Sequence, residues 1–305
     1  MSLSIYNIKK WVKMLTGNSI EHVQQGKGKC YRTDKIAGYY NDLTAKVSNS
    51  QKLDNNGIPL FLTPKGNYIH FPIMIFQYGL GAYDNYLLSE KKNEEMKDKL
   101  IRCANWAMEN QEINGSWKNF IDEFPENPYS SMAQGEGISL LLRAYMETKN
   151  SVYKESAAKA VDFMLISLEN GGTAEYRNGQ LFLHEFTHLP VVLNGWIFSL
   201  FGLYDFLQIE KNEDIGKKYK QSINTLVQNI DAFDNGYWSM YNMGGMITSP
   251  FYHSLHIALL NVLYELTGIE ILKKYAVKWE EYRCSRIKRC ISFWVKVMQK
   301  IKEKG

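Results

Sequence analysis

A chain of 305 residues is long enough for one large domain or two ordinary ones, and it buries a sizeable core either way. Hydrophobic residues at 45% and charged residues at 22% are ordinary for a globular protein. A net charge of +4, with aromatics that are not interleaved with basic runs, argues against nucleic acid as a partner. Cys30, Cys103, Cys284 and Cys290 show no CxxC spacing, so neither a zinc knuckle nor a disulfide scaffold is indicated. Reduced thiols in cytoplasm are the expectation.

In chain order, "MSLSIYNIKKWVKML" carries lysines where a secretory apolar core should lie, and no cleavage site follows. Residues 1–56 read as an N-terminal helix and lead-in segment, and residues 57–305 as one globular unit. No apolar run approaches the ~20 residues that a membrane helix needs, so no integral membrane segment is expected. Four stretches then repeat a pattern: "FPIMIFQYGL", "NPYSSMAQGEGISLLLRAY", "LPVVLNGWIFSLFGLYDF" and "SPFYHSLHIALLNVLYEL". Each opens on an X-Pro step and runs on as an apolar helix. Pro72, Pro128, Pro190 and Pro250 suit a first helical position, where the missing N–H would be an orphan anyway. Asn127 and Ser249 are good N-caps ahead of their prolines; Phe71 and Leu189 are poor ones.

Between these stretches lie amphipathic ones: "KNEEMKDKLIRCANWAMENQ", "SVYKESAAKAVDFMLISLEN" and "KKYKQSINTLVQNIDAF". Glycine turns with aromatics or short strands follow each: "NGSWKNF", "NGGTAEYRNGQLFL" and "DNGYWSMYNMGG". A unit of apolar helix, polar helix and turn recurs about every 60 residues, which predicts stacked or ring-closed helix pairs. The fold class is therefore mainly all-α: an α/α toroid of about four helix pairs with short β-hairpins at the active-site end. Helix N-termini gathered at that end would suit an anion. The last stretch, "RCSRIKRCISFWVKVMQKIKEKG", is basic and amphipathic, which suits a solvated face on a packed helix or a membrane-peripheral one.

Several residues have chemistry to offer. "HEFTH", His184 to His188, matches H-E-x-x-H, whose zinc chemistry needs both histidines on one helical turn. Pro190 starts the helix after it, and in an extended segment residues four apart lie ~13 Å from one another, so a zinc site is not favoured. Glu185 just ahead of a helix start is electrostatically welcome, as a helix-start ion pair or as an acid/base group. Tyr252, two residues after Pro250 of the Ser-Pro step, sits where the helix dipole would favour phenolate; the plainer alternative is a core tyrosine. Tyr241 lies in the glycine-rich hairpin before it, with the same alternative. Gln134, Glu136 and Asn194 interrupt apolar helices and must find partners or line a cavity. Arg143 sits deeper, where a buried ion pair is the plain reading. No Walker loop, G-x-S-x-G or G-x-G-x-x-G is present.

Taken together, "NPYSSMAQGEGISLLLRAY", "VVLNGWIFSLFGLYDF", "DNGYWSMY" and "FYHSLHI" resemble the C-terminal domain of D-glucuronyl C5-epimerases, which convert glucuronate to iduronate within heparosan or heparan chains. "NGIP…FPIMIFQYGLGAYD" resembles the segment ahead of that domain, so the likeness runs from about Gly57 to Trp279. The resemblance implies an α/α toroid, an acidic polysaccharide partner and no required redox cofactor. It carries catalytic roles onto Glu185, Tyr241 and Tyr252. Tyr129, Gln134, Arg143, Asn194, His253 and His256 are the residues expected to bind substrate, with the two histidines and the helix start placed to stabilise an enolate. The chain departs from the family in lacking the β-rich portion of the animal enzymes, in having Glu185-Phe186 where Glu-Tyr is common, and in a shorter segment from Glu185 to Asn194. Flanking arginines of the animal enzymes fall here on Gly244 and Ser249. A uronate lyase or a non-catalytic glycan-binding protein are the alternatives, and a homodimer is compatible with either.

Overall fold

Proline at the first helical position and a serine N-cap predict a helix from Pro250, and α-helical structure begins there, with Ser249 Oγ accepting the Tyr252 N–H at 3.4 Å. Pro72 likewise opens its helix, with Phe71 making no side-chain cap. At the other two prolines the helix starts three residues later, at Ser131 and Leu193. There the backbone is engaged elsewhere first. Pro128 O accepts from Phe120 N, and Val192 pairs as an isolated bridge with Asn242.

The computed structural model describes residues 25–47 and 52–302, so the helix expected at the start of the chain lies outside the described residues. Among the described residues are nine α-helices: α1 (Pro72–Leu88), α2 (Glu94–Glu109), α3 (Ser131–Thr148), α4 (Ser151–Met164), α5 (Leu193–Ile209), α6 (Glu213–Gln228), α7 (Pro250–Thr267), α8 (Glu270–Cys284) and α9 (Arg286–Lys302). Two antiparallel two-stranded sheets complete them, β1 (Phe61–Leu62) with β2 (Tyr68–Ile69), and β3 (Ala174–Arg177) with β4 (Gln180–Leu183). The protein is mainly all-α with short hairpins. β3 and β4 turn at Asn178-Gly179, both at positive φ, the pairing that a two-residue hairpin turn favours.

Contacts divide the chain into two compact units. The larger comprises residues 28–47, 52–191 and 195–226. In it, apolar and amphipathic helices alternate along the chain. α1 and α3 are buried nearly all round, whereas α2 buries only Leu100, Cys103, Ala104 and Ala107, one stripe at helical spacing. Asn93 and Asn150 cap α2 and α4 by accepting from Glu95 N and Val152 N. α3 and α5 approach closely at glycines. A Cβ at Gly135 would lie 2.5 Å from Phe198 O, and one at Gly202 would lie 2.5 Å from Gly135 Cα. Ser199 Oγ donates to Ser131 Oγ at 2.8 Å across the same contact.

The smaller unit holds residues 192–194 and 227–302, with 25–27. α7 ends at Gly268 in the left-handed conformation, φ 69°, a common helix stop. Its core stacks His253 on Trp238, with ring centroids 3.6 Å apart, and adds Trp279 and His256.

Candidate functional site

In the larger unit, β4 delivers His184 and Glu185 to the turn before α5. His184 O accepts from Ser131 N at 2.9 Å, which ties this turn to the start of α3. Glu185 is buried, 7% exposed. Its side chain lies where a residue other than glycine at 195 could not be accommodated: a Cβ there would lie 2.5 Å from both Glu185 Cβ and Oε2. Gly195 was missed in the sequence, although a glycine directly after Asn194 in an apolar helix is a signal for close approach. Phe186 stacks on Phe120 at 4.4 Å and meets Phe124 edge-on, so its ring lies inside an apolar cluster.

The H-E-x-x-H stretch is turn and bend rather than helix. His184 Nε2 lies 3.0 Å from Glu175 Oε2, and His188 packs against Phe124. Among the described residues no group of three or more His, Cys, Asp or Glu side chains is arranged to hold a metal ion.

Glu136 on α3 is fully buried, and burial pushes its carboxyl up to about 8, with the Glu185 charge adding to the rise. Gln77 Nε2 donates to its Oε1 at 2.9 Å. It is a neutral acid at neutral pH, the partner that its place in an apolar helix demanded being an amide rather than a cation. Gln134 is fully engaged with backbone: its Oε1 accepts from Trp117 N, and its Nε2 donates to Gly115 O and Ala160 O. Arg143 is fully buried and donates to Asp205 Oδ2 at 2.6 Å and to the carbonyls of Ala37, Gly38 and Ser139. The ion pair read as the plain alternative is therefore what occupies its guanidinium. Tyr129 is half-buried, with its hydroxyl donating to Glu112 Oε2 at 3.0 Å and its ring edge-on to Phe163. Glu112 is a further polar residue that the sequence did not single out.

In the smaller unit, Tyr241 and Tyr252 come together, ring centroids 5.1 Å apart and planes at 68°. Both are half-buried. Tyr241 is held by backbone, its N–H donating to Met246 O and its O accepting from Leu193 N. That second bond pins the hairpin to the start of α5 next to Asn194, which is 2% exposed. Tyr252 is fixed by the Ser249 cap in the first turn of α7, where N–H groups and the helix dipole favour negative charge.

His253 and His256 are turned into the core instead. His253 Nδ1 accepts from Ser239 N at 3.2 Å and lies 2.7 Å from Ser239 Oγ, while Nε2 sits 2.9 Å from Trp279 O, an arrangement that fits a neutral ring protonated on Nε2. Burial pulls it down to about 4. Burial pulls His256 down to about 3, and neither of its ring nitrogens has a hydrogen-bond partner among the described residues. Both side chains are enclosed in the core, whereas the substrate contact expected of them would need them exposed. A cleft of about 730 Å³ also opens on this unit, beside Trp238, Phe251, Ser254 and Asn261; Tyr241 and Tyr252 do not line it. Its charges are largely paired among themselves, Lys27 with Glu265 and Arg283 with Glu280.

Comparison with known proteins agrees with the motifs. The family model for the D-glucuronyl C5-epimerase C-terminus matches residues 107–281, more than half of the chain. A D-glucuronyl C5-epimerase of Caenorhabditis elegans is 28% identical over 221 residues, covering 63% of this chain and 36% of the relative. An uncharacterized protein of Methanocaldococcus jannaschii, MJ1128, is 28% identical over 209 residues, covering 64% of each. The chain thus matches less than two thirds of the length of either relative. No helix among the described residues is long and apolar enough to cross a membrane.

Proposed function

This chain belongs to the family of the D-glucuronyl C5-epimerase C-terminus, and on that premise we propose that it is a polysaccharide uronate C5-epimerase acting on a heparosan-like chain. Residues 57–305 would form its catalytic domain. The observation that carries the reading is the Tyr241–Tyr252 pair, two phenols in edge-to-face contact at the first turn of α7.

Inversion at C5 needs a base to take the hydrogen α to the uronate carboxylate as a proton. Its electron pair then passes into the carboxylate to give an enolate, and an acid returns a proton to C5 from the opposite face. Glu185 and Tyr252 are the proposed opposed pair, with Tyr241 as a third acid/base or orienting group. Enolate charge is stabilised by donors aimed at the carboxylate, and the N–H groups of the first turn of α7 supply such a field. Tyr129 and Asn194 are the proposed substrate contacts. Gln134, Arg143, His253 and His256 support the reaction by holding the helices that carry these groups.

The test is incubation of the protein with heparosan followed by disaccharide analysis. Iduronate without new near-ultraviolet absorbance supports the epimerase. An unsaturated, absorbing product would mean that the enolate instead expels the C4 oxygen, as in a lyase. Binding with unchanged uronate would leave a glycan-binding protein.

A further inference from the structure

An amphipathic helix in a globular protein ordinarily turns its apolar stripe toward the core. α9 does the opposite. Ile287, Ile291, Trp294, Met298 and Ile301 recur at helical spacing along one face, and they are 73%, 43%, 64%, 52% and 42% exposed. The opposite face is fastened down within the smaller unit. Lys296 Nζ donates to Ile247 O at 2.6 Å, Gln299 Nε2 donates to Gly245 O at 2.8 Å, and Gln299 Oε1 accepts from Ile247 N at 2.9 Å. Ser292 on that side is buried. The rotation of α9 about its axis is therefore fixed by the hairpin that carries Tyr241, and the apolar stripe is held outward by design of both faces.

The charge around the stripe has one sign. Residues 286–302 contain four lysines, three of them at 288, 296 and 302, with Arg286 and Arg289, and no aspartate or glutamate. By helical spacing Arg286 borders one edge of the stripe, and Lys288 and Lys302 border the other. We propose that this face of α9 docks onto an anionic lipid bilayer. Ile, Met and Trp side chains would enter the headgroup boundary while the bordering lysines and arginine meet lipid phosphates. Trp294, the most exposed aromatic of the stripe and near its middle, is the residue type enriched at membrane interfaces.

A second copy of the chain is a poorer occupant. An isologous contact places each patch against itself, so Arg286, Lys288 and Lys302 would face their own copies with no acid on the helix to receive them. An anionic surface satisfies the stripe and its border together.

The full chain is tested by flotation with vesicles of equal parts phosphatidylglycerol and phosphatidylcholine, and with vesicles of phosphatidylcholine alone. Binding to the anionic vesicles should exceed binding to the neutral ones by about 10-fold or more and fall as salt is raised. Trp294→Glu should lower anionic-vesicle binding by about 10-fold or more, with the melting temperature and the mass in solution unchanged. The combined Arg286→Glu, Lys288→Glu and Lys302→Glu variant should abolish it, and it carries the test if Trp294→Glu fails to fold. Equal binding to both vesicles, or none to the anionic ones, would overturn the proposal. So would a dimer in solution that Trp294→Glu dissociates while vesicle binding is absent, since the face would then be an interface between copies.

Discussion

Glu185 occupies the space that a side chain at Gly195 would need. A Cβ at 195 would approach Glu185 Cβ and Oε2 to 2.5 Å, well inside contact distance, and Glu185 Cβ cannot swing away as a flexible end could. Gly195→Ala therefore displaces the Glu185 carboxylate. If that group is an acid or base, turnover should fall by about 10²-fold, the scale of an ångström of misplacement at a reacting group. Stability should fall by only about 1–3 kcal/mol from overpacking. Epimerase turnover and thermal melting on the same preparation check this. Full turnover in a variant destabilised by that amount would remove Glu185 from the chemistry.

Arg143 and Asp205 form an ion pair with no exposure on either side chain. Arg143→Ala leaves the Asp205 carboxylate buried without its cation, a loss of about 3–5 kcal/mol. Arg143→Met with Asp205→Leu removes both charges and should recover much of it. Denaturant melts of the three proteins decide. A direct role in substrate binding would show the reverse pattern, with stability kept in Arg143→Ala and KM raised.

The helices were legible because their signals are local. The N-cap Ser249, the i, i+3, i+4, i+7 stripe of α2 and proline at 72 and 250 each act within a turn of the residue concerned. Pro128 and Pro190 carry the same local signal, yet their helices begin later, because the intervening backbone bonds to distant partners such as Asn242 that spacing does not reveal. The core placement of His253 and His256 was hidden for the same reason, because Trp238 and Trp279, which pack against their rings, come from other elements of the chain. The Tyr241–Tyr252 contact joins a hairpin to a helix, and only the family motifs pointed to those two residues together.

Buried titratable groups set opposite slopes of stability against pH. Glu136 at about 8 and Asp84 at about 7 keep protons in the folded state that the unfolded chain releases near 4.5 and 3.8. Their contribution is complete below those lower values and is lost as pH rises toward 7 and then 8. His253 at about 4 and His256 at about 3 stay neutral when folded, whereas the unfolded chain takes up protons below 6.5. Their contribution is complete above 6.5 and is lost as pH falls toward 4 and then 3. Stability should be flattest between about pH 5 and 6.5, falling on both sides. Glu136→Gln keeps the neutral shape and should flatten the alkaline arm, as read by melting temperature from pH 5 to pH 9. An unchanged alkaline arm in that variant would mean that Glu136 is ionised when folded.

Solvent deuterium at C5 tests the central claim most directly. The protein is incubated with heparosan in D₂O and the C5 position is followed by NMR, with Tyr252→Phe alongside. The wild-type protein should place deuterium at C5 in both glucuronate and iduronate residues, without elimination. Tyr252→Phe loses one hydroxyl and should bind heparosan and melt as the wild type does, while exchange falls by about 10²-fold or more. Exchange at the wild-type rate in Tyr252→Phe would contradict the role of that residue, and no deuterium at C5 with the wild-type protein would contradict the epimerase itself.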